Sequence, residues 1–192
     1  LIIFDTETTG LINPHATDIK KQPQIIEFAA IKFDDNLSEL SRIQFLCNPG
    51  DLIDVCSTRV SDRTKPGTIQ RITGINDEML ADEKPFKYHY QKLCDFFLGS
   101  DSILAHNCPF DCNMLGYELT RIGKHFMFPW PSKRIDTVDL TMSFRGHRLK
   151  LEQLHEMATG SKEYNAHRAM ADVEALFTVV KWLVKDKGIV LK

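Results

Sequence analysis

The chain has 192 residues, 43% hydrophobic and 26% charged, with 24 Lys and Arg against 26 Asp and Glu for a net charge of −2. This composition suits one globular domain with a sizeable core and excludes a disordered or low-complexity chain. The near-neutral balance argues against wide electrostatic gripping of a duplex, but leaves room for a small site that holds a polynucleotide end.

Residues 1–5 read as a central strand, with Asp5 and Glu7 at its carboxyl end. "QPQIIEFAAIKFDD" (22–35) and "LSRIQFLCN" (40–48) read as two further strands, joined as an antiparallel hairpin through "DDNLS". Residues 49–67, with Pro49, Gly50, Pro66 and Gly67, form a long surface loop. A helix follows Pro85 through "FKYHYQKLCDFFLG", and "SILAH" (102–106) is a short buried strand. Another helix runs from Cys108 to Ile122. "RIDTVDLTMSF" fits a strand or a helix equally, "KLEQLHEMA" is helical, and "AHRAMADVEALFTVVKWLVKD" is a long helix. Strands first, then strands alternating with helices, imply an α/β domain with a mixed sheet. No repeat or linker divides the chain, so 1–192 reads as a single domain. It opens inside a strand-like run without an initiator Met, and so reads as trimmed or excised from something longer. No apolar run approaches a membrane span and no secretory leader is seen, so no membrane partner is expected.

The five cysteines (Cys47, Cys56, Cys94, Cys108, Cys112) are scattered and odd in number, which suits a reducing, cytoplasmic setting. Cys108, Cys112 and His106 lack a fourth ligand at a recognisable zinc spacing. Packing as small apolar residues is therefore the preferred reading of these thiols.

Strand alternation puts Asp5 and Glu7 on one face. On a helical wheel, Asp111 shares the apolar arc of Met114, Leu115 and Ile122. Asp172 lies at the edge of the stripe made by Ala169, Val173, Leu176, Val180 and Leu183. Glu118 falls on the Asp111 arc too, so the wheel alone over-predicts. Four converging carboxylates repel one another unless cations intervene, and an all-oxygen set suits Mg²⁺ or Mn²⁺. A pair of such ions, about 3.5–4 Å apart, can clamp a phosphodiester displacement. His167, five residues before Asp172, cannot share its helical face. It must belong to the entry loop or first turn, with Asn165 as a cap, where a neutral imidazole can take a proton from an attacking water.

These residues fall into three motifs in order. "FDTETTG" carries Asp5 and Glu7, "HNCPFD" carries His106, Asn107, Phe110 and Asp111, and "HRAMAD" carries His167 and Asp172. The chain thereby resembles the DEDDh 3′–5′ exonucleases, the DnaQ-like group that includes the proofreading subunit of bacterial replicative polymerase, ribonuclease T and oligoribonuclease. "QIIEFAAI", "ITGINDEML" and "DTVDL" are fainter echoes, and the similarity covers nearly the whole chain.

The resemblance implies a ribonuclease H-like fold, a mixed sheet of about five strands flanked by helices. It implies release of nucleoside 5′-monophosphates from a 3′ end. Asp5, Glu7, Asp111 and Asp172 would hold two divalent ions, Mg²⁺ or Mn²⁺, with His167 as general base and Glu7 beside it among the catalytic residues. The backbone around Thr6 and Thr9 would meet the terminal sugar, and Leu11, Ile72, Thr73 and Phe110 are candidates to line the terminal base pocket. His106 and Asn107 are further substrate-binding candidates. Proofreading of DNA, on single-stranded or frayed ends, is the first choice of function. Trimming of short RNA is the enzymatic alternative, and a non-catalytic module that binds a polymerase or a nucleic-acid end is the alternative of another class. The expected partners are a 3′ end of DNA or RNA and a DNA polymerase or larger parent chain.

Residues 51–67 look longer than the family's usual connection, and Arg59, Arg63 and Lys65 within them read as a solvated charged loop. Arg145, His147, Arg148 and Lys150 could steer a strand toward the metals, with a surface turn preferred. Phe126, Phe128 and Trp130 could be a stacking platform, with packing over a core edge preferred.

Overall fold

The computed structural model describes residues 1–53, 67–161 and 166–191. Strands β1 (Ile2–Thr8), β2 (Ile25–Phe33), β3 (Glu39–Leu46), β4 (Ser102–Ala105) and β5 (Lys133–Asp136) form one sheet in the order β3-β2-β1-β4-β5. β1 pairs antiparallel with β2, and β2 with β3 in the expected hairpin, while β1–β4 and β4–β5 are parallel. The helices among the described residues are α1 (Thr68–Thr73), α2 (Asp77–Leu80), α3 (Tyr90–Phe97), α4 (Cys108–Arg121), α5 (Thr137–Arg145), α6 (Leu151–Thr159) and α7 (Ala169–Lys185). This is the mixed five-stranded α/β architecture that the alternation of elements implies. None of these helices is long and apolar enough to cross a membrane.

Alternation along β1 divides the core. Ile2 and Phe4 pack with Phe28, Phe97 and Leu115 on the side of α3 and α4. Ile3 packs with Ala29, Ile31, Val173 and Leu176 on the side of α7. Asp5 and Glu7 share the parity of Ile3, so they point toward α7, while Thr6 points toward α4. The stripe read from the last helix is the buried one: Ala169, Val173, Leu176, Val180 and Leu183 are all at most 1% exposed.

Several boundaries differ from the expectation, and three of them have a clear local reason. β1 does not stop at Asp5 but runs on to Thr8, because Asp5, Thr6 and Glu7 pair with Ala29, Phe28 and Glu27 of β2. Both acids therefore sit inside the strand. The ambiguous 134–144 segment is both things in turn. β5 ends at Asp136, whose carboxylate accepts the Val138 N–H and so starts α5 as its N-cap. After Pro85 the chain makes a 3₁₀ turn, Phe86–Tyr88, before α3 begins. Arg59, Arg63, Lys65, Cys56 and the cap candidate Asn165 lie outside the described residues.

One ion pair locks α7 to the sheet. Glu27 on β2 is completely buried. It accepts from Arg168 Nε at 3.1 Å and Nη2 at 2.9 Å, from the Ala169 N–H at 3.0 Å and from Gln44 Nε2 at 2.9 Å. Burial alone would raise its pKa, but the bonds from Arg168, Ala169 and Gln44 hold it below the usual carboxylate value. A buried anion paired this way is a strong anchor only while its partner stays. Arg168→Ala should therefore lower the unfolding free energy by about 3 kcal/mol. Arg42→Ala, which removes the exposed pairs with Glu39 and Glu174, should cost about 1 kcal/mol or less. Urea denaturation of both variants checks the contrast, and equal losses would contradict it.

Candidate active site

β4 is short, and its pairing with β1 ends at Ile3↔Leu104. From Asp5 onward the β4-facing edge of β1 has no strand beside it, and α4 fills the space. The Thr6 N–H and Oγ1 both donate to Asp111 Oδ1, at 3.0 and 2.7 Å. Asp111 is 3% exposed, on the inward arc of α4 as read. From the other side, α7 presents Asp172, 8% exposed, whose Oδ2 accepts the His167 N–H at 3.0 Å. His167 precedes the helix in the left-handed region at φ 65, so it is on the entry turn and off the helical face. Donor atoms of Glu7, His167 and Asp172 all lie within 4.8 Å of one another.

The carboxylates raise one another's pKa. Burial first, then Asp111, Asp172 and Glu7, push Asp5 far above the usual range. Burial, followed by Asp172, Glu27 and Asp111, takes Glu7 up to about 8. Burial lifts Asp111 to about 7 although Thr6's two hydrogen bonds pull the other way. Among the described residues, Asp5, Glu7 and Asp111 form no ion pair with Lys or Arg. Hard oxygen donors from separate segments, short of positive charge, are the set that fits divalent cations.

Beside the acids opens a cleft of about 410 Å³, lined by Asp5, His106, Asn107, Arg148, Lys150, Glu152, His167 and Asp172 with the apolar Val138, Leu149 and Leu151. Asn107 adopts the left-handed region at φ 71, its N–H donating to Asp136 Oδ1 at 2.9 Å. Its Oδ1 accepts from Arg148 Nη2 at 2.8 Å. His106 Nδ1 lies 2.9 Å from Thr137 Oγ1, and burial lowers its pKa, so it faces the cleft as neutral imidazole. His167 Nε2 lies 3.8 Å from Glu152 Oε1.

A family model for exonucleases matches residues 2–180. The chain belongs to the exonuclease family. The DnaQ-like, DEDDh resemblance of its three motifs agrees with its relatives. It is 30% identical over 195 residues to the DNA polymerase III subunit epsilon of Treponema pallidum, covering 96% of this chain and 78% of that one. It is 29% identical over 177 residues to the 3′-5′ exonuclease DinG of Bacillus subtilis, covering 90% of this chain but only 16% of DinG's length. In structure the exonuclease resembles E. coli Exonuclease I in complex with a dT13 oligonucleotide, at TM-score 0.71 and 22% identity, over 97% of this chain and 41% of the other. It also resembles the Mg²⁺- and Mn²⁺-bound form of S. pombe Pop2p, at TM-score 0.65 and 14% identity, over 99% and 85% of the two chains. The fold is ribonuclease H-like.

The exonuclease's predicted site residues divide into three groups. Asp5, Glu7, Asp111, Asp172 and His167 are brought together, and His106 and Asn107 join them on the cleft wall. Thr6 is spent on orienting Asp111. The rest lie elsewhere. Thr9 is fully buried, its N–H and Oγ1 both bonded to the Gln24 backbone, so its side chain closes the β1–β2 ladder. The Thr73 hydroxyl is buried against the Ile69 carbonyl and the Ile75 N–H, which shape the end of α1. Leu11 and Ile72 are exposed and do not line the cleft, and Phe110, on α4 itself, packs at the edge of the core.

Other readings resolve physically. Arg148 and Lys150 stand on the cleft wall, against the preferred reading of a plain surface turn. Cys108 and Cys112 Sγ lie 3.6 Å apart inside an apolar cluster, packed as small hydrophobes. Phe128 and Trp130 pack edge to face over the core, and Phe126 is fully exposed. Glu118, the wheel's surplus acid, binds the Ile25 N–H and Arg121 away from the cleft. Glu27, Arg168, Asp136 and Glu152 were missed, since a lone acid or arginine in a strand or helix start carries no spacing signal.

A carboxyl whose folded pKa lies above its unfolded value favours folding most below the unfolded value, and loses that contribution as pH rises through the folded one. For Glu7 the window runs from about 4.5 to about 8. In EDTA the melting temperature should fall across this window, and Mn²⁺ should flatten the fall. Parallel curves with and without Mn²⁺ would contradict the assignment.

Proposed function

We propose that this chain hydrolyses DNA from the 3′ end, releasing nucleoside 5′-monophosphates from single-stranded or frayed ends. The observation that carries the reading is the convergence of Asp5, Glu7, Asp111 and Asp172, from three distant segments, beside one accessible histidine and an open cleft. In this reading those four carboxylates hold two Mg²⁺ or Mn²⁺ ions, and His167 and Glu7 are catalytic residues. Bound divalent ions supply the positive charge that offsets the acids and polarises the scissile phosphate.

The chain's own groups do the rest. His167 sits half exposed at the mouth of the site, where its imidazole takes the proton of the attacking water. Glu152 Oε1, 3.8 Å from Nε2, stabilises the charge the ring then gains. Asp172 fixes the base through the His167 N–H. Arg148 and Lys150 face the strand's phosphates, and Arg148 is aimed by Asn107. The apolar edges of Val138, Leu149 and Leu151 border the terminal nucleotide. DNA is favoured because the relatives include a polymerase subunit, and a polymerase or a larger parent chain is the expected partner. The free thiols Cys47, Cys94, Cys108 and Cys112 suit a reducing cytoplasm.

The test is a time course on 5′-labelled single-stranded DNA and RNA of one sequence, with Mn²⁺ and with EDTA. A DNA ladder shrinking from the 3′ side only with metal is the expected result, and faster loss of RNA would move the substrate to short RNA. Asp5→Ala should abolish turnover while the melting temperature of the metal-free protein stays level or rises, since a strained buried acid is removed. Retained turnover would reject the metal role. His167→Ala should lower kcat by about 10²–10⁴. Arg148→Ala should raise KM about tenfold or more and weaken the salt dependence, with kcat nearly held. A collapse of kcat at unchanged KM would show that Arg148 does not hold the strand.

A further inference from the structure

We propose that Glu7, His167 and Asp172 form a capture site for a borderline, nitrogen-seeking ion such as Zn²⁺, and that an ion seated there inhibits the enzyme by occupying the imidazole it needs as a base. The inference rests on the reading of this site as a divalent-ion nuclease centre. It concerns a different ion, held by two of those acids together with the His167 imidazole.

The donor atoms of these three residues lie within 4.8 Å of one another. A tetrahedral ion with bonds of about 2.0–2.2 Å to nitrogen and oxygen needs only a small closure of that triangle. One imidazole with two carboxylates offers Zn²⁺ a nitrogen and two oxygens, donors it accepts, and leaves a fourth position open. The hydrolytic ions prefer all-oxygen surroundings and leave the ring alone. Affinity for mixed nitrogen–oxygen sites rises from Mn²⁺ to Zn²⁺, so a small amount of Zn²⁺ competes with much more Mn²⁺ once a nitrogen joins.

The local structure permits that movement. His167's backbone is held by its N–H bond to Asp172, while its side chain is 52% exposed and makes its nearest ionic approach to Glu152 at 3.8 Å, beyond hydrogen-bonding range. Among the described residues, no hydrogen bond to the ring is broken when it turns toward Glu7 and Asp172. Glu152 then stands close enough to accept from the ring's other nitrogen or to complete the ion's shell. The feature that makes His167 a usable base, an unshielded imidazole beside carboxylates, is the same feature that exposes it to capture.

The experiment is calorimetric titration of ZnCl₂ and of MnCl₂, with no nucleic acid, into the wild-type protein, His167→Ala and His167→Asn. The Asn variant keeps a residue type that tolerates the left-handed backbone at φ 65, which guards against loss of the turn. Both variants should lose Zn²⁺ affinity by at least about tenfold, the loss typical even of an outer-sphere partner, while Mn²⁺ affinity changes little. In the wild-type protein, Zn²⁺ at concentrations below those of Mn²⁺ should suppress hydrolysis. Unchanged Zn²⁺ affinity in both variants would overturn the proposal, as would hydrolysis in Zn²⁺ at the Mn²⁺ rate. If the wild-type protein binds neither ion, the nuclease reading itself fails, a result distinct from loss of the histidine's role alone.

Discussion

Mutual repulsion among buried carboxylates is the constraint on which this structure turns. Asp5, Glu7 and Glu27 share one face of the sheet, with Glu7 directly opposite Glu27 across the β1–β2 ladder, and Asp111 and Asp172 come in from helices. Like charges placed directly across a ladder destabilise it. Two neighbouring acids on that ladder are nevertheless treated in opposite ways. Arg168, the Ala169 N–H and Gln44 satisfy Glu27 and hold its pKa low, whereas burial and the neighbouring acids push Glu7 up to about 8 against the weaker pull of the same Arg168, with which it forms no ion pair among the described residues. One is a structural anion, and the other is a charge kept waiting. Environments that drive apart the pKa values of adjacent carboxyls mark groups with different tasks.

The structural anion sets the geometry of the functional ones. Glu27 binds the residue that caps α7 and the first N–H of that helix, so the rotation of α7 over β1 is fixed at its N-terminus. One turn later the same helix delivers Asp172, and one residue earlier the chain turns through His167 at φ 65. Asp172 then reaches back to the His167 N–H, closing the turn on itself. The histidine, a carboxylate and the sheet are thus joined through a handful of backbone and side-chain bonds in one short stretch. This explains why the histidine can sit five residues from the acid and still share its surroundings. It is outside the helix, where the 100° step no longer applies.

What could be read from the sequence follows from what periodicity encodes. The period of two in β1 placed Asp5 and Glu7 on one face, and the period of 3.6 placed Asp111 inward and Asp172 at the edge of its stripe. These are local rules, and the structure obeys them. The strand's true end at Thr8 was not legible, because it depends on pairing with Glu27 and Phe28 some twenty residues away. Glu118 shows the limit of the wheel. It is as buried as Asp111, but it serves Arg121 and the Ile25 N–H, a choice made by packing. The roles of the Thr9 and Thr73 hydroxyls were not legible for a similar reason. A hydroxyl's partners are decided in three dimensions, and both are consumed by nearby backbone. Arg148 was undervalued because a basic turn looks the same in sequence whether it faces bulk water or a cleft.

The location of the site follows from the topology. β1 is paired antiparallel along its length on one side, yet parallel for only its first residues on the other. Where β4 gives out, the Thr6 N–H has no strand carbonyl to meet, and a buried donor without a partner is costly. Asp111 supplies the acceptor, and its second task is to bring a carboxylate beside Asp5. Were β4 two residues longer, a strand carbonyl would satisfy Thr6, α4 would begin farther along, and Asp111 would lose its reason to be buried here. A short fourth strand therefore shapes the candidate site, although none of its residues lines the cleft. The unfilled edge of a mixed sheet creates a demand for an acceptor, and the chain meets that demand with a carboxylate that also adds charge where cations are wanted.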